Sequence, residues 1–349
     1  MTLRTIQAGE GGVKAAVARV GLSAMAVAYG LGVRARGAWY SAGLSKPRSL
    51  PVPVVSVGNL TAGGTGKTPF VAWLAGKALA AGRHPAILSR GYGPRPAGSA
   101  LSDEGTLLQS LLEGAVPQVE DPDRARGGAR LLLANPDVDL VILDDGFQHR
   151  RLARDVDVVL LDATNPMGFR RLLPRGLLRE PVAALSRASA VVATRSERVS
   201  PDALAALRRE ASRLAPAALF AVARMVPRAL VDSRGAERPA RDLKGAAVFA
   251  YAGIGNPQAF EGALCDLGCR VVGRWFAADH HAPSPSDVAR LAALARAARA
   301  DRIVVTRKDL VKLSALPSLP DGLEALDISL EVEEGEEALL ALALGAGRG

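Results

Sequence analysis

Residues 51–68 read PVPVVSVGNLTAGGTGKT, and this stretch decides the fold. Val54, Val55 and Val57 make a short β-branched strand, Gly58-Asn59 break it, and a glycine-rich loop ends in Gly66-Lys67-Thr68 ahead of a helix-forming run over 70–81. Strand, glycine loop and helix in that order build a phosphate cradle. The N–H groups of the loop and first helical turn converge on one place, and the helix dipole favours negative charge there. Gly63, Gly64, Thr65 and Gly66 line the loop, Lys67 can reach β- and γ-phosphates, and Thr68 offers a hydroxyl to Mg²⁺. In the pattern G-x-x-x-x-G-K-[ST], the first position falls on Thr61 rather than glycine. A plain glycine-rich turn would account for the glycines but gives no reason for Gly-Lys-Thr at the helix start.

Working outward, strands and helices alternate. Residues 85–89 form a strand leaving through Arg90-Gly91-Tyr92-Gly93, and Asp103-Glu104 open a helix, where acids complement the dipole. A short strand follows at 116–119 and a basic helix at 122–135. The apolar run 138–143 ends in Asp144-Asp145-Gly146-Phe147-Gln148-His149. Two adjacent carboxylates at a strand tip are costly without a cation, and a P-loop enzyme holds Mg²⁺ with an acid there. A solvated Asp-Gly turn explains only part of that run. Strands at 157–162 and 190–194 flank Arg170, Arg171, Arg175 and Arg179, four arginines within ten residues. They suit anionic substrate or transition-state charge, with surface solvation the plainer alternative. A helix at 200–214 completes this half.

Near residue 225 the texture changes to a ribbon or linker. A second α/β unit follows, with strands at 246–251, 270–275 and 302–305 and helices at 258–267 and 286–300. The expected layout is an N-terminal region 1–50, a P-loop domain 51–224, a linker 225–245 and a smaller α/β domain 246–349. The fold class is α/β: a P-loop NTPase-like, mainly parallel sheet with helices on both faces, plus the smaller domain. With 49% apolar but only 4% aromatic residues, the core must come from Ala, Leu and Val. Asp279-His280-His281 reads as a turn, a base or part of a metal site. Cys265 and Cys269 read as thiols rather than a metal pair.

The net charge of +9 is concentrated at the N-terminus, where residues 1–50 hold seven basic side chains and one acid. Between Arg19 and Arg34 lie 14 uncharged residues, short of the roughly 20 that span a bilayer. Basic flanks with Trp39-Tyr40 suit a helix lying in an anionic membrane surface, and an ordinary packed helix fits equally. No aromatic platform or nucleic-acid motif accompanies the charge, so no nucleic-acid partner is expected.

Together these residues resemble the tetraacyldisaccharide 4'-kinase family, which phosphorylates the lipid A disaccharide precursor. The resemblance rests on residues 56–69 (SVGNLTAGGTGKTP), 89–93 (SRGYG), Asp103-Glu104, 144–149 (DDGFQH), 178–181 (LREP), 253–257 (GIGNP), 279–281 (DHH) and 306–309 (TRKD), in the family's order over most of the chain. Arg307 stands where the family has an acid. The resemblance implies transfer of the ATP γ-phosphate to the 4'-hydroxyl of a tetraacyl disaccharide 1-phosphate, giving lipid IVA. It implies ATP bound between the two domains, and it gives Lys67 and Thr68 to the phosphates and Mg²⁺ and Asp144 and Asp145 to the metal. Asp103 and His280 become a dyad, drawn from different domains, that takes the hydroxyl proton. Arg179, Glu180, His149, Glu104 and Asp279 line the site. It places the N-terminal helix on the cytoplasmic face of the bacterial inner membrane, as a peripheral protein. On the residues alone, a P-loop ATPase or GTPase for assembly or cofactor insertion, or a nucleotide sensor, stays open.

Overall fold

The computed structural model describes residues 7–10, 12–91, 100–278 and 281–345. In chain order the elements are α1 (Val13–Ser41), β1 (Val54–Asn59), α2 (Lys67–Ala80), β2 (Pro85–Ser89), α3 (Asp103–Leu111), β3 (Gln118–Glu120), α4 (Arg124–Ala134) and β4 (Leu140–Asp144). Then come β5 (Val156–Asp162), β6 (Ala190–Thr194), α5 (Pro201–Leu214), β7 (Leu219–Asp232), β8 (Glu237–Pro239), β9 (Ala247–Ala252) and α6 (Pro257–Asp266). The chain closes with β10 (Arg270–Phe276), α7 (Pro285–Ala297), β11 (Arg302–Thr306), α8 (Arg307–Leu313), β12 (Leu323–Glu334) and α9 (Glu336–Gly345). They form two compact units: residues 1–90, 116–225 and 331–349, and residues 91–115 with 226–330.

The first unit is a parallel sheet in the order β7-β6-β5-β1-β4-β2-β3. Its central strand is β1, buried at all six positions. A strand covered on both faces has no need of alternation, which is why its valines fall on both faces, Val54 on one and Val55 and Val57 on the other. One face carries Val54, Val141 and Leu143 against Leu131 of α4, and Val159 and Val191 against Leu207 and Ala211 of α5. The opposite face takes α2, which buries Phe70, Val71, Leu74 and Ala75 against β1, β2 and β4. Register places Val57 beside Asp144, so the end of β1 and the acidic strand tip arrive at the same edge.

In the second unit β10, β9, β11 and β12 run parallel, and β7 pairs with β8 as an antiparallel hairpin, with Ala229 opposite Pro239. Phe249, Tyr251, Val305 and Leu310 share one core cluster, and Val248, Ala250, Phe260 and Leu264 another. The stretch 225–245, read as ribbon or linker, thus contains the end of β7 and all of β8. Residues 91–115 group with this unit although they follow β2 in sequence, and their helix α3 packs on α8.

Candidate active site

The loop between β1 and α2 has the shape its glycines predict. Gly66 caps α2 at φ 88° and Gly63 stands at φ 116°, left-handed backbone that favours glycine. Arg195 Nη2 donates to the carbonyl of Gly64 at 2.7 Å, and Thr194 Oγ1 to that of Thr65 at 2.9 Å. Arg195 is in turn paired with Asp162. The carbonyls are therefore held, whereas the N–H groups of Gly63 to Gly66 have no acceptor among the described residues. The buried Thr65 hydroxyl also lacks a partner there. Unmet donors beside a lysine fit a polyphosphate.

Lys67 Nζ lies 3.3 Å from Asn59 Oδ1 and 3.5 Å from Asp145 Oδ1. Arg179 Nη1 donates to both Asp145 oxygens, at 2.9 and 2.8 Å. Burial pushes the Asp145 carboxyl up, but Lys67 and Arg179 outweigh it and hold it below the ordinary carboxylate range. The segment carrying Arg179 is stitched to the exit of β1: Arg179 N–H donates to Leu60 O at 2.8 Å and Ala62 N–H to Leu177 O at 2.7 Å. Gln148 Nε2 donates to Asn59 O at 2.9 Å. Gly58 permits the close approach behind this, since a Cβ there would come within 2.8 Å of the Phe147 nitrogen. Asp145 itself sits at φ 52°, a strained value for a residue with a side chain.

Asp144 is buried at the tip of β4, and Thr68 lies in the first turn of α2. Among the described residues no cluster of three His, Cys, Asp or Glu side chains could hold a metal. A P-loop Mg²⁺ asks less, taking one or two carboxylates and a hydroxyl and completing its shell with phosphate and water. The all-oxygen set Thr68, Asp144 and Asp145 fits that ion.

His149 is half-buried, and burial together with Arg124, Arg154, Arg36 and Arg151 pushes it down to about 4, so it is neutral near pH 7. Glu180 is held by Arg187 at 2.8 Å. Of the arginine run, Arg170 pairs with Glu210 and Arg175 donates to the Gln7 carbonyl, while Arg179 is the member that meets Asp145. Reading the sequence missed Asn59 and Gln148, whose polar side chains sit inside the quoted motifs. It also missed Arg124, which opens α4 and is buried with its Nε unpartnered among the described residues. Its charge interacts with Asp145 and Asp144. Asp123, capping α4, was the available signal for that placement.

α1 lies against the same unit. Ala15, Ala18, Leu22, Ala26, Gly30, Val33, Gly37 and Tyr40 form its less exposed stripe, with Gly30 so close to Leu172 that a Cβ would push the leucine methyl aside. Tyr29 O–H donates to the Arg179 carbonyl at 2.9 Å, Arg36 to Gln148 O at 2.8 Å, and the Arg150 guanidinium sits 4.8 Å from the centre of the Tyr40 ring. The larger apolar residues point away: Val20 is 72% exposed, Val27 64%, Leu31 61% and Trp39 56%. The helix is longer than the uncharged run suggested; Ala15–Ser41 is 27 residues and contains an 18-residue window of mean hydropathy 1.5, which would suffice in length and composition to cross a membrane. Its docked stripe runs from Ala15 to Tyr40.

The second unit holds the remaining sequence-derived positions. Asp103 begins α3, 2% exposed, with Lys312 Nζ at 3.2 Å; Glu104 pairs with Lys308 at 3.7 Å. His281 Nε2 is 3.3 Å from Asp287 Oδ2. Asp279 and His280 lie outside the described residues, and with them the expected contact of His280 with Asp103. Asp309 accepts the Gly253 N–H at 3.0 Å and the Thr306 hydroxyl at 2.6 Å, and burial raises its carboxyl. Arg307, found in place of an acid, lies 3.5 Å from Asp327 and donates to Ser110 Oγ at 3.1 Å.

The chain is similar to known proteins of one family. The family model described as tetraacyldisaccharide-1-P 4'-kinase matches residues 18–344. A protein of Anaeromyxobacter sp. (strain Fw109-5) named tetraacyldisaccharide 4'-kinase is 41% identical over 327 residues, covering 88% of this chain and 86% of its own. One of the same name from Halothermothrix orenii is 35% identical, over 84% of this chain and 82% of its own. The crystal structure of LpxK from Aquifex aeolicus in complex with ATP superposes with TM-score 0.70 at 30% identity, over 93% of this chain and 98% of that one.

Proposed function

The chain belongs to the tetraacyldisaccharide-1-P 4'-kinase family, and on that footing we propose how its residues divide the work of an ATP-dependent lipid A kinase. The family relationship favours this activity over an assembly ATPase or a sensor. The observation that carries the assignment of residues is the Lys67–Asp145–Arg179 arrangement beside the unmet N–H groups of the loop.

Gly63 to Gly66 and Lys67 hold the β- and γ-phosphates of ATP, and Arg179 stands ready for charge on the transferring group. Thr68, Asp144 and Asp145 would hold Mg²⁺, which would neutralise phosphate charge. Positioning and charge neutralisation supply most of the rate. The acceptor is the 4'-hydroxyl of the acylated disaccharide phosphate. As its oxygen bonds to the γ-phosphorus and the bond to ADP breaks, Asp103, partnered by His280, takes the hydroxyl proton. His149, neutral in this setting, Glu180, Glu104 and Asp279 are the further residues assigned to binding.

α1 brings the enzyme to its lipid. Its outward Val, Leu and Trp side chains enter the anionic cytoplasmic face of the inner membrane while its small-residue stripe stays on the protein. Single-turnover assays with Asp103→Asn and His280→Gln test the base. The reading expects ATP affinity to hold while transfer slows by about 10² to 10⁴-fold, and near-normal transfer in both variants would sink it.

A further inference from the structure

α8 sends three cations towards neighbouring segments of the second unit. Arg307 donates to Ser110 near the end of α3, Lys308 pairs with Glu104 in its first turn, and Lys312 meets Asp103 itself. Lys312 differs from the other two in its burial and its second partner. It is 7% exposed, and its Nζ, 3.2 Å from Asp103 Oδ2, also donates to the carbonyl of His281 at 3.1 Å. An ammonium with three donors can serve both acceptors at once. The two acceptors belong to segments some 180 residues apart in sequence, and one of them immediately follows His280.

We infer that Lys312 is a positioning residue for phosphoryl transfer: its buried ammonium ties the Asp103 carboxylate to the backbone at His281 and so fixes how the carboxylate is presented to the acceptor. This rests on the reading of Asp103 as the proton acceptor. Lys312 acts through Asp103 and touches no substrate atom. Of the other charged groups at the junction, Lys308 is on Glu104, Arg307 on Asp327 and His281 on Asp287, while the buried Asp309, bonded to the Gly253 N–H and the Thr306 hydroxyl, also feels the Lys312 charge. A buried ion pair adds little stability over an apolar pair of similar volume, whereas removing one member leaves an uncompensated charge. Structural and positioning roles therefore separate once both members are changed together.

The experiment compares wild type, Asp103→Asn, Lys312→Met and the double variant at saturating lipid, with kcat, KM for ATP and melting temperature measured for each. The inference expects Lys312→Met to lower kcat by about 10²-fold with KM for ATP within about twofold of wild type. It expects the double variant to be no slower than Asp103→Asn alone, because the lysine has nothing left to position. Losses that multiply in the double variant, or a folded Lys312→Met with near wild-type kcat, overturn it. If Lys312→Met does not accumulate folded, the comparison of Asp103→Asn with the double variant decides, and any further loss there overturns it. A near-normal Asp103→Asn instead refutes the reading of Asp103 as the base, an outcome distinct from those above.

Discussion

Arg179 grips Asp145 through one guanidinium nitrogen placed on both carboxylate oxygens, at 2.9 and 2.8 Å. Asp145 thus faces two cations, Arg179 and Lys67, in a site that has no other described charge so closely engaged with it. Arg179→Ala is expected to lower kcat by about 10²-fold or more and to raise KM for ATP, since one cation then holds the carboxylate. Arg179→Lys restores the charge without the planar fork and should fall between. Steady-state kinetics of the two variants check this, and equal activity of both with wild type would remove Arg179 from the phosphate site.

Lys67→Ala should be more damaging, because Lys67 has both to neutralise Asp145 and to meet phosphate. A loss above about 10²-fold in kcat/KM for ATP is expected. Equilibrium binding of a fluorescent ATP analogue, read alongside turnover, shows whether the loss is in binding or transfer. Unchanged binding and turnover would refute the assignment of residues 63–68.

His149 makes stability depend on pH. Its folded value near 4 lies below the unfolded 6.5, so between those values the unfolded chain binds more protons. Stability then rises with pH across that window and is lost on acidification from 6.5 towards 4. Partial exposure limits the effect to about 2 kcal/mol. His149→Gln should melt with a flatter dependence between pH 4 and 6.5. Identical slopes for variant and wild type would contradict the half-buried neutral imidazole.

α1 predicts a membrane phenotype separable from folding. Val20 and Val27 are exposed and away from the docked stripe, so Val20→Asp with Val27→Asp should leave the melting temperature nearly unchanged and reduce flotation with anionic liposomes. Tyr29→Phe acts on the other side, deleting the bond to the Arg179 carbonyl at a cost of about 1 kcal/mol. Undiminished flotation of the double aspartate variant would reject the helix as the contact.

The phosphate loop and the acidic strand tip could be read from sequence because their chemistry is local: Gly66, Lys67 and Thr68 adjoin, as do Asp144 and Asp145. The arginine run was legible as a cluster but not in its division, since only the fold sends Arg170 to Glu210 and Arg179 to Asp145. Gln148 meets Asn59 and Lys312 meets Asp103 far along the chain, and no spacing rule reveals either pair; Asn59 bonds Thr61 and Lys67 within the loop stretch itself, where a polar residue at a strand end is not distinctive. The grouping of 91–115 with 226–330 has the same cause. β12 escaped notice because its Glu324, Asp327 and Glu331 look like a solvated acidic stretch; each in fact pairs with an arginine, Arg238, Arg228 and Arg224 respectively. α1 shows the reverse: its Ala and Gly spacing marked the docked face, but the apolar residues between them obscured it.

The central claim is that this cradle passes phosphate to a lipid. Incubating the full chain with Mg²⁺, ATP labelled in the γ-phosphate and tetraacyldisaccharide 1-phosphate in mixed micelles, then locating the label, tests it most directly. The account predicts label at the 4'-position of the disaccharide, dependent on Lys67. Label released only as inorganic phosphate, whether or not the lipid is present, would contradict it.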